Sequence, residues 1–193
     1  MTRRLPPTIF VALGALSLFA CGRQEEGPSN ETTVKMAGNE AAGFPRNFKL
    51  GGANGAALGN VSVSDQAGGM SVAVDARGIP AGIHGIHLHE KGLCDGPSFQ
   101  SAGGHWNPGK KNHGRDNPQG AHLGDLANFE VAADGTATAA FELAGASMAG
   151  GNMRFADTDG TALVIHAKPD DYKTDPSGAS GDRIACAVLA APK

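Results

Sequence analysis

Short segments in which apolar and polar residues alternate recur along the chain from about Arg46 onward. Side chains two apart on a strand point to the same face, so this period of two predicts half-buried β-strands. The apolar positions that we expect to face the core are Phe48/Leu50, Val61/Val63, Met70/Val72/Val74, Phe129/Val131, Ala137/Ala139/Phe141/Leu143 and Ile184/Cys186/Val188. The pattern predicts an all-β domain of about eight strands, arranged as a sandwich or a barrel.

Turn and loop residues divide these predicted strands. Asp134-Gly135 lies between two of them and is a strong hairpin signal. The stretch from Gly92 to Ala127 is rich in Gly, Pro, Asn and Asp, and a loop of that length in a compact domain is usually functional. A second polar loop extends from Lys168 to Asp182. We therefore expect two long functional loops.

Composition and charge narrow the class of protein. The chain has 193 residues, a length typical of one domain, and its 29 glycines with only 5% aromatic residues favour short strands and turns over packed helices. Its formal net charge of −3 provides no basic surface for nucleic acid. We expect no nucleic-acid partner.

The N-terminal residues indicate export. Arg3 and Arg4 precede an apolar run from Ile9 to Ala20, which is shorter than the ~20 residues of a membrane-spanning helix. We therefore interpret residues 1–20 as a signal peptide. The run ends in Leu18-Phe19-Ala20-Cys21, which resembles the lipobox of bacterial lipoproteins and predicts lipidation of Cys21. Cleavage as an ordinary secreted signal is the alternative.

Two further regions follow this segment. Residues 21–45 are rich in Glu, Asn, Gly and Ser without periodicity, so we expect a flexible tether after the lipidated cysteine, and a single domain over residues 46–193. The resulting location is the bacterial cell envelope, facing the periplasm or anchored to a membrane through the lipid alone. The sequence does not distinguish the inner from the outer membrane, or a monomer from a homodimer.

The remaining cysteines fit an oxidising compartment. Setting Cys21 aside leaves Cys94 and Cys186, an even pair that we expect to form a disulfide outside the cytoplasm. Two buried thiols are the alternative, since cysteine is often a small core residue.

Histidines supply the candidate chemistry. His87 and His89 are two apart on a predicted strand, so their side chains share a face and can bind one metal. Such a pair alone is weak evidence, but it is followed by His105, His113, His122, Asp125 and His166. Imidazoles with one carboxylate suit Cu(II) and Zn(II), whereas Ca(II) and Mg(II) prefer oxygen ligands.

Four motifs make the pattern specific: Gly-Ile-His-Gly-Ile-His-Leu-His-Glu (82–90), Gly-Gly-His-Trp-Asn-Pro (103–108), Gly-Ala-His-Leu-Gly-Asp-Leu (120–126) and Gly-Asp-Arg-Ile-Ala-Cys (181–186). Together they resemble the copper/zinc superoxide dismutase family, in its bacterial exported branch. The resemblance implies an eight-stranded antiparallel Greek-key sandwich, or flattened barrel, of immunoglobulin-like architecture.

The resemblance also implies the ligands of one copper ion and one zinc ion per subunit. Copper would be bound by His87, His89, His105 and His166. Zinc would be bound by His105, His113, His122 and Asp125, which makes His105 a bridge between the two ions.

Other residues acquire roles through the same resemblance. Arg183 would hold the superoxide anion above the copper, and His105 would supply a proton during turnover. Asp170 would link a copper imidazole to a zinc imidazole from outside the ligand shell. His84 has the opposite strand parity to His87, so we expect a buried, hydrogen-bonded support residue rather than a ligand.

The activity implied is conversion of superoxide to oxygen and hydrogen peroxide by Cu(II)/Cu(I) cycling, which would protect the cell envelope. A bridge from Cys94 to Cys186 would tie the long loop to the strand of Arg183. The alternative from another class is a non-catalytic periplasmic domain that binds copper or zinc. A metal-free, adhesion-like sandwich is a third interpretation, and it predicts histidines without spatial order.

Overall fold

The computed structural model describes residues 45–193. The predicted signal peptide, Cys21 and residues 21–44 of the predicted tether lie outside this range. Among the described residues, no helix is long and apolar enough to span a membrane. The regular elements in this range are nine strands and one short 3-10 helix at Gln100–Ala102. The strands are β1 (Arg46–Gly52), β2 (Ala57–Gln66), β3 (Gly69–Ala76), β4 (Gly82–His84), β5 (Ile86–His89), β6 (Phe129–Val131), β7 (Ala137–Ala144), β8 (Thr161–His166) and β9 (Arg183–Ala190).

Seven strands form one antiparallel sheet in the order β5-β8-β9-β1-β2-β3-β7, and β4 pairs with β6. The order shows the Greek-key character, because β9 returns from the end of the chain to lie beside β1. The described residues form nine strands, whereas about eight were predicted, because the segment from Gly82 to His89 is divided at Gly85 into β4 and β5. The Gly85 N–H donates to the carbonyl of Lys168 at 2.8 Å instead of continuing the β4–β6 ladder.

The core lies on the concave side of the curled sheet. The predicted inward positions of β1, β2 and β3 are buried or half-buried, as the alternation of period two requires. Trp106 and Phe155 pack edge to face within this core at a centroid distance of 5.1 Å. The all-β prediction is confirmed, and β5 and β8, which carry three of the histidines, are buried along their whole length.

The predicted Asp134-Gly135 turn is present, but the hairpin is wrong as a strand pairing. The Ala132 N–H donates a hydrogen bond to the Thr136 carbonyl at 2.9 Å, and Gly135 has a φ of 80°, as a tight turn requires. Beyond the turn the two strands separate: β6 pairs with β4, and β7 pairs with β3. The turn therefore joins two sheets instead of closing a ladder.

The predicted face of β9 is also wrong. Ala185, Ala187 and Leu189 face the main core, whereas Cys186 joins a second cluster with Phe99 and three small or branched neighbours. The reason is that β9 is covered on both sides, since the segment around Phe99 packs over its outer face. A strand buried on both faces loses the alternation that marks a half-buried one.

Three long connections shape the rest of the domain, where two were predicted. We name them L1 (residues 90–128), L2 (residues 145–160) and L3 (residues 167–182). L2 was not predicted; it buries Ala146, Met148 and Phe155 against the core. L1 and L3 correspond to the two predicted loops, and both lie beside the histidines.

Candidate metal centre

Four histidines meet where β5, β8 and L1 come together. His87 and His89 lie on β5, His166 ends β8, and His105 lies in L1 opposite His89 in an isolated β-bridge. One ring nitrogen from each lies within 4.8 Å of those of the others, and all four residues are buried. We call this group the copper set.

Hydrogen bonds fix which nitrogen of each imidazole faces the centre. His87 Nε2 donates to Asp170 Oδ2 at 2.7 Å, His89 Nδ1 to Gly103 O at 3.0 Å, and His166 Nδ1 to Gly181 O at 3.2 Å. An imidazole that donates from one nitrogen presents a lone pair on the other. The remaining nitrogens, His87 Nδ1, His89 Nε2, His105 Nε2 and His166 Nε2, are buried without a hydrogen-bond partner.

A second group shares His105. The ligand atoms of His105, His113, His122 and Asp125 lie within 4.8 Å of one another, and we call them the zinc set. Asp125 Oδ1 lies 2.8 Å from His105 Nδ1 and 3.1 Å from both His113 Nδ1 and His122 Nδ1. The contact with His113 lacks hydrogen-bond alignment, which leaves His113 Nδ1 unpartnered as well.

Backbone donors orient Asp125. The N–H groups of Gly114 and His122 donate to Asp125 Oδ2 at 2.8 and 3.0 Å. That leaves Oδ1 turned toward the three imidazole nitrogens. A carboxylate oxygen with three imidazole nitrogens is a donor set typical of tetrahedral zinc.

The unpartnered nitrogens test whether metals fit. A buried polar atom without a partner normally costs about 1–3 kcal/mol, so several in one cluster need an explanation. Lone pairs of neutral imidazoles that converge on one point are what a copper or zinc ion requires. The donor sets therefore fit copper at the first group and zinc at the second.

Electrostatics keep the copper set neutral. Burial lowers the pKa of His105 to about 4 and that of His166 to about 3, and burial also lowers the pKa of His87 and His89. The charged form of a buried imidazole loses its hydration, which explains the direction. Deprotonated rings of this kind are ready to bind a metal.

His113 behaves differently because it faces two carboxylates. Burial alone would lower its pKa, but the interactions with Asp125 and Asp170 outweigh burial and raise it to about 9. Burial raises the pKa of both aspartates, but hydrogen bonds to His105 and His113 hold that of Asp125 well below the usual range, and hydrogen bonds to His113 and His87 do the same for Asp170. Without a metal, the two carboxylates therefore favour the protonated form of His113, which gives up this proton when a metal binds at Nδ1.

Asp170 joins the two groups from outside. Its Oδ2 accepts from His87 Nε2 at 2.7 Å, and its Oδ1 accepts from His113 Nε2 at 3.0 Å. His84 is buried, and its Nδ1 and Nε2 contact the carbonyl oxygens of His166 and Pro80 at 2.7 and 2.8 Å. It takes no place in either donor set.

Arg183 lines the cleft that lies beside the histidines. Its guanidinium donates to Phe99 O and Gly103 O, each at 2.7 Å, and the side chain is half-buried. It lines a cleft of about 510 Å³ together with His105, His122 and His166. Glu90 and Asp182 lie in the same cleft. A small anion entering it would meet a fixed cation next to the histidines.

The disulfide links this cleft to the sheet. Cys94 of L1 is bonded to Cys186 of β9, with 5.8 Å between the Cα atoms, as predicted from the cysteine count. Phe99 and Gly103, which hold Arg183, lie in the same part of L1.

Sequence reasoning missed Asn128 and Tyr172. Asn128 Nδ2 donates to Asp170 O at 2.9 Å, and its Oδ1 accepts from Asp170 N at 2.8 Å. Asn128 N–H in turn donates to the Tyr172 hydroxyl at 2.8 Å. Neither side chain is a typical ligand of copper or zinc, and no spacing in the sequence brings L1 and L3 together.

Fold and donors define a class, the antiparallel β-barrel proteins with a paired set of metal donors that share one histidine. The chain belongs to the copper/zinc superoxide dismutase family, whose model matches residues 57–189.

Two bacterial relatives support this membership. The superoxide dismutase-like protein YojM of Bacillus subtilis is 37% identical over 185 residues, covering 94% of this chain and 94% of that protein. A protein of Caulobacter vibrioides named Cu-Zn superoxide dismutase is 41% identical over 139 residues, covering 70% of this chain and 80% of that protein.

Solved structures agree. A double mutant of a superoxide dismutase-like protein from Bacillus subtilis gives a TM-score of 0.72 at 40% identity, covering 78% of this chain and 99% of that chain. The Cu/Zn superoxide dismutase from Brucella abortus gives a TM-score of 0.59 at 28% identity, covering 75% of this chain and 99% of that chain.

Proposed function

We propose that this protein is a copper/zinc superoxide dismutase that protects the cell envelope. Two superoxide anions and two protons become one oxygen and one hydrogen peroxide, so atoms and charge balance. The observation that carries the proposal is the copper set: four buried imidazole nitrogens without partners converge beside a cleft that holds Arg183. The Caulobacter relative's name, Cu-Zn superoxide dismutase, supports the same activity.

We assign one copper ion and one zinc ion to each subunit. His87, His89, His105 and His166 would hold the copper, and the zinc set would hold the zinc. Copper, when bound, supplies the one-electron oxidation and reduction of superoxide. The zinc set, which is enclosed by protein, suits a structural ion that keeps L1 in place.

Arg183 binds and orients the anion. Its two hydrogen bonds to carbonyl oxygens keep the guanidinium in one position, and a planar, always charged group suits a small anion. The local field of this cation attracts superoxide even though the whole chain carries a formal charge of −3.

His105 is the proton donor in this proposal. Its Nε2 is buried without a hydrogen-bond partner in the copper set, and the residue lines the cleft, while Asp125 lies 2.8 Å from its Nδ1 and fixes the ring. His105 Nε2 can therefore hold a proton and pass it to the reduced anion. Asp170 and His84 keep the neighbouring rings in place from outside the two donor sets.

A non-catalytic metal-binding domain is the second candidate. It would explain the imidazoles equally well, because metal sequestration needs the same donors. It gives no reason for a fixed guanidinium in an open cleft next to them, and Arg183 therefore favours the dismutase.

The deciding experiment uses the full chain, purified after expression in a bacterial host. Copper and zinc are counted by elemental analysis, and superoxide removal is measured for the wild type, His166→Ala and the exposed control Thr138→Ala. We expect one copper and one zinc per chain, activity in the wild type and the control, and loss of activity and copper in His166→Ala. Activity that survives His166→Ala would sink the mechanism, whereas metal binding without turnover would favour the sequestration domain.

We also propose export to the envelope with a lipid on Cys21. The support is the charged and apolar segment that ends at this cysteine, together with the disulfide, which suits an oxidising compartment. Labelling cells with a palmitate analogue tests it: the wild type should carry the label in the membrane fraction, and Cys21→Ser should not. Label on neither protein would mean cleavage as an ordinary secreted signal.

A further inference from the structure

Tyr172 lies in L3, two residues after Asp170, in the left-handed backbone region with a φ of 62°. Its N–H donates to Asp170 Oδ1 at 2.6 Å. The Asp170 carboxylate oxygen that faces His113 is therefore also held by the backbone of Tyr172.

The rest of Tyr172 contacts L1. Its carbonyl accepts from Asp116 N–H at 3.0 Å, and the Arg115 guanidinium carbon lies 3.7 Å from the centroid of its ring. A cation over the face of an aromatic ring is attracted by the ring's π electrons, so this contact is favourable. At Gly114, with a φ of 93°, an added Cβ would lie 2.0 Å from the Tyr172 carbonyl oxygen. Both the backbone carbonyl and the ring of Tyr172 therefore contact L1.

The hydroxyl completes a path back to Asp170. It accepts from Asn128 N–H at 2.8 Å, and the Asn128 amide forms two hydrogen bonds, at 2.9 and 2.8 Å, with the backbone of Asp170. Tyr172 therefore approaches Asp170 twice, once through its own N–H and once through Asn128.

We propose that Tyr172 is a positioning residue for the metal centre, which fixes the Asp170 carboxylate by locking L3 onto L1. Asp170 receives His87 on one oxygen and His113 on the other, so a shift of this carboxylate would turn a ring of each donor set. Hydrogen-bonded partners outside the ligand shell typically contribute 10- to 100-fold in metal affinity. The proposal rests on the proposed metal sites, and it assigns Tyr172 no contact with the substrate.

The test measures Zn²⁺ affinity by competition with a chelator in the full-length protein at neutral pH. Tyr172→Phe keeps the ring over Arg115 and removes only the acceptor for Asn128, whereas Tyr172→Leu removes both contacts. We expect affinity to fall about 3-fold for Tyr172→Phe and about 10-fold for Tyr172→Leu, at the lower end of the range because Tyr172 acts through Asp170. In the copper-loaded protein, the Cu(II) electron paramagnetic resonance spectrum should shift, because His87 reorients.

Phe141→Leu is the matched control, because Phe141 is a half-buried core residue of β7, which lies at the opposite edge of the seven-stranded sheet from β5. It should lower the free energy of unfolding while leaving Zn²⁺ affinity and the Cu(II) spectrum unchanged. An equal loss of affinity in the control, or a Tyr172→Leu affinity within about twofold of the wild type with an unshifted spectrum, overturns the proposal. If Tyr172→Leu does not fold, Tyr172→Phe decides by the same two measurements.

The affinity measurement separates this proposal from the proposed function. A wild type that binds zinc but removes no superoxide would end the dismutase assignment, and Tyr172 would still be judged by zinc binding. Conversely, unchanged zinc affinity in an active Tyr172→Leu variant would remove only the positioning role.

Discussion

Arg183 is held as tightly as an internal residue although it must meet an external anion. Two carbonyl oxygens of L1 accept from its guanidinium, and partial burial lowers its pKa without removing its charge. The two carboxylates in the same cleft, Glu90 and Asp182, oppose its field. Glu90 holds the backbone of L1, because its Oε1 accepts a hydrogen bond from Gly104 N–H at 3.1 Å. Asp182 is exposed, and its side chain makes no hydrogen bond to any of the described residues.

Asp182→Asn should therefore raise kcat/KM for superoxide. A unit charge about 10 Å away in water is worth roughly 0.4 kcal/mol, which corresponds to about a twofold change in rate. The gain should appear at low ionic strength and vanish at high salt, because salt screens exposed charges. Steady-state measurements across a salt series check this, with Glu142→Gln on β7 as the remote control. A gain independent of salt would contradict an electrostatic cause.

At this scale the sequence predicted much of the centre. The structure brings together the seven residues expected to bind metals, because their chemistry is in their side chains and their order places them around one end of a sheet. Asp170 and Arg183 were reached through the family resemblance, since a lone aspartate or arginine has many ordinary uses. Asn128 and Tyr172 act through backbone contacts across two loops, which residue type does not indicate.

L1 depends on β9 at two places. The Cys94–Cys186 disulfide bonds it to the strand, and the Arg183 side chain of the same strand donates to its carbonyl oxygens. These covalent and polar links add to the packing of Phe99 and Ala102 of L1 against Cys186. The position of Arg183 in the cleft is therefore coupled to the disulfide.

Replacing both cysteines, as Cys94→Ser with Cys186→Ser, should lower the free energy of unfolding by about 2–4 kcal/mol, as typical for a long enclosed segment. It should also lower kcat/KM per bound copper, because the carbonyl partners of Arg183 become mobile. Denaturant unfolding and activity normalised to copper, measured where the variant is still folded, give the two quantities. Unchanged kcat/KM would show that the disulfide acts on stability alone.

Among the elements, the inward-facing positions could be predicted for strands that have one solvent-exposed face. β1, β2 and β3 follow the alternation because their outer faces are solvated. β9 did not, because the segment around Phe99 covers its outer side. The Asp134-Gly135 turn was read correctly from two residues, but the partners of β6 and β7 are set by β4 and β3, which are distant in sequence. Local chemistry fixes turns, whereas the packing of the whole chain decides strand partners.

In the metal-free domain as a whole, folding lowers the pKa of some histidines of the centre and raises the pKa of another. Burial keeps the copper-set imidazoles neutral, with the pKa of His105 at about 4 and that of His166 at about 3, while two carboxylates raise the pKa of His113 to about 9. In the unfolded chain all of these rings titrate near 6.5. Four of these rings have a lowered pKa and one has a raised pKa, so the folded domain binds fewer protons than the unfolded chain below about pH 7, and more above it.

The free energy of unfolding of the metal-free protein should consequently have its maximum at about pH 7, where the folded and unfolded states bind equal numbers of protons on these rings. Below that pH, uptake of protons by the unfolded chain favours unfolding, so stability falls as the pH drops toward 4. Above it, the contribution of protonated His113 is lost as the pH rises through about 9. The acid side should be the steeper one, because several imidazoles act there and only His113 acts on the alkaline side. Denaturant unfolding followed by the fluorescence of Trp106, the single tryptophan, measures the profile between pH 5 and pH 9. His113→Gln should flatten only the alkaline side, and a wild-type stability that rises as the pH falls below 6 would contradict neutral buried imidazoles.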